Sequence, residues 1–196
     1  MRPDQPVADL FELIKRRRSV RAFSRAPLSR RELSILLRYS AGITGRLDDQ
    51  RARRAQPSGG ARFPLEIYVM VLRAGEALPA GLYHYQVKTH ELDVLWSRPF
   101  DEETVGRLFT YEWVKDAAVV ILLTAVFWRN QCKYGERGYR YILIEAGHIG
   151  QNLYLVSEAL GLKCCALGGT NDDAVEKLLD LDGITESMVY ALALGR

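Results

Sequence analysis

The feature of this 196-residue sequence that most limits its fold is the apolar run at residues 117–127. The run is rich in Val, Ile and Leu, and its only polar residue is one threonine. This composition is typical of a β-strand that is buried on both faces. Its 11 residues also fall well short of the roughly 20 that a membrane-spanning helix needs. The run therefore predicts a strand inside a covered sheet, and we expect no membrane partner.

Apolar residues recur at helical spacing in several stretches, and alternating or β-branched residues mark others. The predicted helices cover residues 7–18, 29–42, 101–109, 138–160 and 172–181. The predicted strands cover residues 65–72, 81–87, 91–96, 117–127, 163–167 and 188–194, the second and third forming a hairpin. Residues 44–64 lack periodicity and predict a long loop. This mixture predicts an α+β or mixed α/β sandwich rather than an all-parallel doubly wound sheet.

Length and composition fit one globular domain. The chain is 48% hydrophobic and 26% charged, close to the average of soluble proteins, and we expect one domain over residues 1–196. The three cysteines are odd in number, and Cys164 and Cys165 are adjacent, which suits neither a disulfide framework nor a zinc site. Charged residues interrupt the N-terminal stretch, so no secretory signal is predicted. We therefore expect a cytoplasmic protein without a metal centre.

Positive charge is concentrated in the first third of the chain. Residues 1–62 hold 15 Lys and Arg against 6 Asp and Glu, a balance of +9, whereas the remainder has a balance of −6. Such a region suits a phosphate-bearing cofactor, an acidic partner or nucleic acid, or it is a solvated arginine-rich surface. The arginines are not interleaved with exposed aromatic residues and show no helix-turn-helix pattern, so we expect no nucleic-acid partner.

The segment Arg17-Arg18-Ser19-Val20-Arg21 follows the first predicted helix. In an extended segment, Arg17, Ser19 and Arg21 point to the same side, and guanidinium groups pair well with phosphate oxygens. The segment therefore predicts a phosphate clamp. The alternative is a cationic helix end that binds no ligand.

Two glycine-rich turns are further candidates for ligand contact. Residues 56–62 (QPSGGAR) precede a predicted strand, and residues 166–170 (ALGGT) follow one. Glycine lets the main chain approach a flat ligand closely and present N–H groups to it. Each segment also fits an ordinary turn, and the first is neither a Walker loop nor a dinucleotide fingerprint.

Taken together, these segments resemble the flavin-dependent nitroreductase superfamily. The resemblance rests on Arg-Arg-Ser-x-Arg, Pro-Ser-Gly-Gly-Ala-Arg, a long helix ending in Glu-Ala-Leu-Gly-Leu and the Gly-Gly turn after it, and it covers nearly the whole chain. Residues 133–141 (KYGERGYRY) and 145–154 (EAGHIGQNLY) are similar to the SagB/ThcOx-type dehydrogenases, which include azoline oxidases of peptide pathways. The resemblance implies a three-layer α+β sandwich, with a mixed, mainly antiparallel sheet flanked by helices and a long central helix at a dimer interface.

The resemblance also implies FMN, bound non-covalently at the interface of a homodimer whose two subunits both contribute to each site. One matched group would hold the phosphate and ribityl chain, with Arg18 beside it at the cofactor: Arg17, Ser19 and Arg21. A second group would approach the isoalloxazine ring from the other subunit: Pro57, Ser58 and Gly59. A third would lie along the ring, with a main-chain N–H near its hydride-accepting N5 atom: Leu167, Gly168 and Gly169.

Lys133 and Tyr134 occupy the position of the Lys-Tyr pair of the subgroup's oxidases, and the resemblance implies that both are catalytic. Aromatising an azoline removes one proton and one hydride, so a base must act while the flavin accepts the hydride. The alternative is a solvated loop lysine beside a core tyrosine. His148 lies between Gly147 and Gly150 in the long predicted helix, and dimer packing is its preferred interpretation.

Three functions remain open at this point. The first is an FMN-dependent oxidoreductase of the SagB/ThcOx type, acting on a small molecule or a modified peptide, with azoline oxidation as one member of the class. The second is a generic nitro- or quinone reductase that uses NAD(P)H as electron donor. The third is a flavin-free module that binds nucleic acid or an acidic peptide, which the scattered arginines disfavour.

Overall fold

The predicted sandwich is confirmed in the computed structural model, which describes residues 8–48, 52–75 and 78–196. Its strands are β1 (Ile43–Arg46), β2 (Ala52–Arg54), β3 (Leu65–Val71), β4 (Gly81–Gln86), β5 (Glu91–Trp96), β6 (Val119–Val126), β7 (Lys163–Leu167) and β8 (Glu186–Gly195). Its helices are α1 (Leu10–Arg16), α2 (Arg30–Ala41), α3 (Glu102–Leu108), α4 (Trp128–Tyr134), α5 (Arg137–Ala159) and α6 (Asp172–Leu179). Short 3-10 turns cover Gly59–Ala61 and Glu112–Asp116.

The strand predicted from the apolar run is β6, and it lies inside a six-stranded sheet. The strand order is β5-β4-β3-β6-β8-β7, and each neighbouring pair is antiparallel. At the outer edge of β7, Ser19 and Cys164 form a parallel bridge, where the Val20 N–H donates to the Cys164 carbonyl at 3.0 Å. The sheet is therefore mixed and mainly antiparallel, as predicted.

Helices cover both faces of the sheet, which gives three layers. On one face, α2 and α5 pack around a core that includes Leu36 and Ile142. On the other face, α3 and α6 pack around a core that includes Val105 and Val175. Because both faces are covered, all residues of β6 except the last are buried, which explains why its sequence is apolar without alternation.

The longest helix, α5, presents an apolar stripe to the sheet. Ile142, Ala146, Ile149 and Leu153 recur every three or four residues and are buried, as expected for one face of a helix. Gly161 follows the helix in the left-handed region (φ 68°), which glycine adopts without steric cost. The predicted long helix is confirmed. None of the helices in the described part of the chain is long and apolar enough to cross a bilayer.

Three details differ from the sequence expectation. The predicted loop at 44–64 contains the β1–β2 hairpin and a 3-10 turn. The helix α4 was not predicted, because its N-cap residue, Phe127, has helical angles and no capping side chain, so the usual start signal is missing. The helix α1 starts after Asp9, whose carboxylate accepts from the Glu12 N–H at 3.0 Å. Val7, where that helix was expected to begin, lies outside the described residues.

Candidate active site

The predicted phosphate clamp lies along the outer edge of β7. The Ser19 hydroxyl lies 2.9 Å from the Tyr154 hydroxyl on α5. Tyr154 Oη also accepts from the Ala166 N–H on β7 at 2.7 Å. One tyrosine therefore fixes the clamp segment to both the long helix and the edge strand.

Arg17 and Arg21 flank this serine and supply positive charge. The Arg17 guanidinium lies over the Tyr154 ring, 5.2 Å from its centroid, which is a cation–π distance. Within residues 8–48, 52–75 and 78–196, neither arginine pairs with a carboxylate. Arg18 instead donates to the carbonyls of Lys15 and Arg17, each at 2.8 Å. Two guanidinium groups without a counter-ion beside one hydroxyl suit a phosphate group.

β7 leads directly from the clamp to the second glycine turn. Leu167 is buried and Gly168 is exposed, and a Cβ atom built on Gly168 meets nothing within 4 Å. Gly169 is closely packed, because its carbonyl accepts from the Thr110 N–H at 2.9 Å and a Cβ atom there lies 3.0 Å from Thr110 Cβ. Gly168 thus turns bare main chain toward open space. We define the arginine half-site as Arg17, Ser19, Arg21, Tyr154 and residues 167–169.

The first glycine turn contacts the predicted Lys-Tyr pair. Gly60 has a left-handed conformation (φ 65°), and a Cβ atom built on it would collide with Tyr134 Oη and lie 3.4 Å from Lys133 Nζ. A Cβ atom on Gly59 would lie 3.3 Å from Tyr141 Cβ. Glycine is therefore favoured at position 60 for two reasons. A residue with a Cβ atom would have a strained main chain there, and its side chain would collide with Tyr134.

Lys133 and Tyr134 are the last two residues of α4, so the lysine lies on a helix rather than in a loop. That the pair is catalytic stays a prediction. The rings of Tyr134 and Tyr141 meet edge-on, with centroids 5.0 Å apart. Lys133 Nζ lies 5.3 Å from the Tyr134 ring centroid. Lys133 is exposed and Tyr134 is half-buried. An ammonium group and a phenol are thus held together at the surface beside the glycine turn.

A buried carboxyl group lies under this turn. Glu145 and Gln56 are 1% and 2% exposed, and Gln56 Nε2 donates to Glu145 Oε1 at 3.1 Å. Burial raises the pKa of Glu145, although hydrogen bonds with Ser58 and Gln56 oppose that rise. The outer residue of the turn, Pro57, is exposed. We call residues 56–63 the glycine loop, and we define the glycine-loop half-site as this loop with Lys133, Tyr134, Tyr141 and Glu145.

Sequence reasoning quoted Glu145 and Gln56 within its motifs but assigned neither of them a role in the site. The signal for Glu145 was a carboxylate next to the apolar stripe of the long helix, since glutamate is almost never fully buried unless it has a partner. No comparable signal marked Gln56, because its contact with Glu145 joins residues 89 positions apart in the chain.

The two half-sites lie near opposite ends of the same helix. Tyr154 belongs to one and Tyr141 to the other, and both are on α5. The 13 positions between them correspond to about 20 Å along a helix axis. The structure therefore brings the predicted cofactor residues together in two groups rather than one: residues 17–21 with 167–169, and residues 57–59 with Lys133 and Tyr134.

The outward face of α5 is apolar and open. Leu143 and Ile144 are 41% and 56% exposed, and a Cβ atom built on Gly147 meets nothing within 4 Å. His148 is exposed on the same face. Apolar surface beside a residue without a side chain is the kind of surface that a second helix can cover closely. The location of a dimer interface stays a prediction.

The vicinal cysteines of β7 serve packing. Cys164 and Cys165 are 2% and 1% exposed, and burial raises the pKa of both thiols. Thiols held in the neutral form and away from solvent are unreactive. Within the described ranges, no group of three or more His, Cys, Asp or Glu side chains is arranged to hold a metal ion.

Comparison with known proteins identifies the family. The Nitroreductase family matches residues 14–196. The chain is 33% identical over 194 residues to protein MJ1384 of Methanocaldococcus jannaschii, whose name assigns it to the nitroreductases, and this match covers 99% of this chain and 94% of that protein. It is also 31% identical to the trifolitoxin-processing protein TfxB of Rhizobium leguminosarum bv. trifolii and 30% identical to the microcin B17-processing protein McbC of Escherichia coli.

The last two matches are partial. They cover 84% and 69% of this chain but 46% and 51% of TfxB and McbC, so the chain spans about half the length of these relatives. Among solved structures, a nitroreductase-named protein of Anabaena variabilis has a TM-score of 0.78 at 27% identity, covering 98% of this chain and 41% of that chain. A protein of Exiguobacterium sibiricum, solved in complex with FMN, has a TM-score of 0.68 at 17% identity, covering 98% and 90%.

The predicted superfamily and enzyme class are confirmed by these matches. The family match spans almost the whole chain, and the relative at 33% identity is covered over 94% of its length. The names of TfxB and McbC are those of a trifolitoxin-processing and a microcin B17-processing protein. This chain is therefore an oxidoreductase that belongs to the nitroreductase family.

Proposed function

We propose that this chain is an FMN-dependent peptide dehydrogenase of the SagB/ThcOx type, and that it works as a homodimer whose two FMN sites each take residues from both protomers. The observation that carries the proposal is the separation of the two half-sites. The arginine half-site and the glycine-loop half-site are about 20 Å apart along α5. A two-fold axis would bring the arginine half-site of one protomer to the glycine-loop half-site of its partner.

The chemistry of the arginine half-site fits FMN. Arg17 and Arg21 would bind the phosphate, because guanidinium groups without counter-ions match its oxygens, and the Ser19 hydroxyl would bind the phosphate or the ribityl chain. Gly168 offers open main chain, where a flat ring can approach an N–H group without a side chain in the way. Pro57, Ser58 and Gly59 would approach the other part of the ring from the partner. Bound FMN would supply the hydride acceptor of the reaction.

The outward face of α5 is the surface that we propose for the dimer. Its exposed residues Leu143 and Ile144 lie next to Gly147, and the exposed face of α1 adds Leu10, Phe11 and Ile14. Burying such apolar area is the main favourable contribution in most protein associations. A symmetric interface uses the same patch on both protomers, so one face of α5 is sufficient for both sides.

The glycine-loop half-site supplies the proton acceptor. Dehydrogenation of an azoline removes a hydride and a proton from neighbouring atoms, and Lys133 Nζ in its neutral amine form would accept the proton and become an ammonium group. Tyr134 lies beside it, with its hydroxyl against Gly60. The substrate class is inferred from TfxB and McbC, whose names state that they process trifolitoxin and microcin B17.

A second function is favoured by MJ1384, which this chain matches over 94% of that protein's length. In this second function, the chain would be a nitro- or quinone reductase that takes electrons from NAD(P)H. Lys133 and Tyr134 would then only shape the pocket. Turnover of NADPH with a nitroaromatic compound, compared with oxidation of a thiazoline-containing peptide, distinguishes the two functions.

Subunit mixing tests the shared site. Arg17→Ala and Lys133→Ala each damage a different half-site, so each homodimer has two defective sites. A mixed dimer has one site with both defects and one intact site. Equal mixing makes half of the dimers mixed, and we expect about a quarter of the wild-type rate of thiazoline oxidation to return. No recovery in dimers proven to be mixed would contradict the proposal, and so would a protein that stays monomeric with FMN bound.

A further inference from the structure

Glu145 occupies an unusual position for a carboxylate. It lies beside the apolar stripe of α5, between Ile142 and Ile149, and is 1% exposed. Its Oε2 atom has no hydrogen-bond partner within the described residues. Burying a carboxylate is unfavourable unless it forms compensating contacts. The side-chain hydrogen bond that Glu145 forms within the described residues goes to one segment, the glycine loop.

Glu145 faces the loop at Gln56 and Ser58. Gln56 Nε2 donates to its Oε1 atom at 3.1 Å, and the nearby Ser58 hydroxyl helps to lower the pKa of the carboxyl group. The Ser58 hydroxyl oxygen accepts from the Phe63 N–H at 2.9 Å. A chain of interactions thus runs from Glu145 through Ser58 to the far end of the loop.

The loop needs such support because its conformation is unfavourable. Gly60, Ala61 and Phe63 have φ angles of 65°, 51° and 47°. Residues with a Cβ atom rarely adopt this left-handed region, and they stay in it only where surrounding contacts enforce it. The contact of Glu145 with Gln56 and the Phe63 N–H contact of Ser58 contribute to that enforcement. Arg62 and Arg129 add hydrogen bonds between the loop and α4.

The supported loop in turn limits the positions that the side chains of Lys133 and Tyr134 can take. A Cβ atom on Gly60 would overlap Tyr134 Oη and lie 3.4 Å from Lys133 Nζ. The main chain at position 60 is therefore in direct contact with the tyrosine hydroxyl and close to the ammonium group. A shift of the loop changes where both groups can lie.

From these contacts we infer that Glu145 is a positioning residue for Lys133 and Tyr134, acting through the glycine loop. The inference rests on the proposed catalytic role of the pair, but the mechanical link itself does not require bound FMN or turnover. Other groups that face Glu145 are Arg54 and His148, whose charges lower its pKa, whereas burial raises it. The carboxyl oxygen as acceptor, rather than its charge, is what holds the loop.

The test uses the full-length, flavin-free protein labelled with ¹³C-methyl groups on its six lysines. The Lys133 signal is assigned with Lys133→Arg. In Glu145→Ala, which removes the acceptor for Gln56 and the carboxyl group beside Ser58, we expect this signal to shift and the Phe63 amide to exchange at least about tenfold faster. In Glu145→Gln, one acceptor oxygen remains, so the signal and the exchange rate should stay close to wild type.

Glu176→Ala is the matched control. Glu176 also accepts from a serine hydroxyl and a main-chain N–H, at 2.6 Å from Ser187 and 3.1 Å from Met188, but it lies on α6, away from the loop. Its loss should leave the Lys133 signal unchanged. After loading with FMN, Glu145→Ala should lower kcat for the thiazoline peptide by at least about tenfold with little change in KM, since small misplacements of reacting groups cost this much.

Each outcome has a definite meaning. If the Lys133 signal and the Phe63 exchange rate are the same in Glu145→Ala as in wild type, the inference is wrong, even if Lys133 proves essential for turnover. If both change but Lys133→Ala keeps full activity, the link stands and the proposed function fails. If Glu145→Ala does not fold, Gln56→Ala removes the donor of the loop's hydrogen bond to Glu145 and should give smaller changes in the same two readouts, and their absence would overturn the inference.

Discussion

The two half-sites differ in what supports their side chains. Arg21 of the arginine half-site is exposed and Arg17 is half-buried, whereas Lys133 and Tyr134 of the glycine-loop half-site lie against a loop that a buried carboxyl group supports. A surface contact is lost without further consequence when one side chain is removed. A site that rests on buried polar groups also moves when its support changes, since unpaired buried groups are unfavourable. The comparison therefore predicts that changes at Arg21 and Gly168 of the first half-site affect mainly cofactor affinity, and that changes in the second half-site affect geometry and stability as well.

The largest effect should come from Lys133→Ala. If Lys133 accepts the substrate proton, its loss should lower kcat for a thiazoline peptide by roughly 100- to 10,000-fold. FMN content, read from the absorbance spectrum, should stay near wild type, because the lysine lies in the glycine-loop half-site. Lys177→Ala, at an exposed position on α6, is the control. Full activity in Lys133→Ala would remove the catalytic assignment.

Arg17→Ala and Arg21→Ala should have the next largest effect, on FMN affinity. Loss of one charge-assisted hydrogen-bonding group should raise the Kd for FMN by about 10- to 100-fold. The melting temperature of the flavin-free protein should not change in Arg21→Ala, since Arg21 pairs with no carboxylate of the described residues, and should fall slightly in Arg17→Ala, which loses the contact with the Tyr154 ring. Fluorescence titration with FMN measures the affinity, and Arg107→Ala on α3 is the control. An unchanged Kd in both variants would show that the phosphate is bound elsewhere.

A pair of glycine substitutions compares the half-sites directly. Gly60→Ala should lower the free energy of unfolding by about 1–2 kcal/mol, because a Cβ atom is unfavourable at its φ of 65°, and it should also displace Tyr134. Gly168→Ala meets open space and should change stability by less than about 1 kcal/mol, while weakening FMN binding. Urea unfolding of the flavin-free protein and FMN titration give the two readouts. Equal stability of the two variants would contradict the difference that we describe between the half-sites.

Two segments of the arginine half-site could be predicted from the sequence because each is local, whereas Tyr154, 135 positions from Ser19, could not. Residues 17–21 and residues 167–169 each form a continuous segment whose residue types already suggest phosphate or ring contact, and the Ser19–Cys164 bridge puts them side by side. The sheet was equally predictable, because the apolar run of β6 requires cover on both faces.

The support of the glycine-loop half-site could not be predicted, for a physical reason. Gln56 and Glu145 meet across 89 positions, and no periodic pattern records such a contact. The helix α4, which carries Lys133, lacks an N-cap signal at Phe127. Only the resemblance to known dehydrogenases pointed to Lys133 and Tyr134, and it was silent on what holds them.

The smallest predicted effect concerns pH, and it again involves the glycine-loop half-site. Arg129 on α4 pairs with Glu66 at 2.5 Å and donates to the Phe63 carbonyl at 3.2 Å. On its other side, Glu66 lies 2.8 Å from His84 Nε2. The hydrogen bond to Glu66 raises the pKa of His84 above its ordinary value of 6.5. The His84 contribution to stability is therefore complete below pH 6.5 and is lost as the pH rises through the raised value.

His90 provides a control, because its contribution to stability should depend on pH in the opposite direction. Burial lowers its pKa, with help from the charge of Arg38, so its contribution is present above pH 6.5 and is lost as the pH falls. Between about pH 5.5 and about pH 8.5, the free energy of unfolding should therefore rise more with pH in His84→Gln than in wild type. In His90→Gln it should rise less than in wild type. Each difference should be less than about 1 kcal/mol. FMN affinity should be insensitive to His84→Gln, since the arginines stay charged throughout this range. If both variants changed the pH dependence of the free energy of unfolding in the same direction, the contact with Glu66 would not control the pKa of His84.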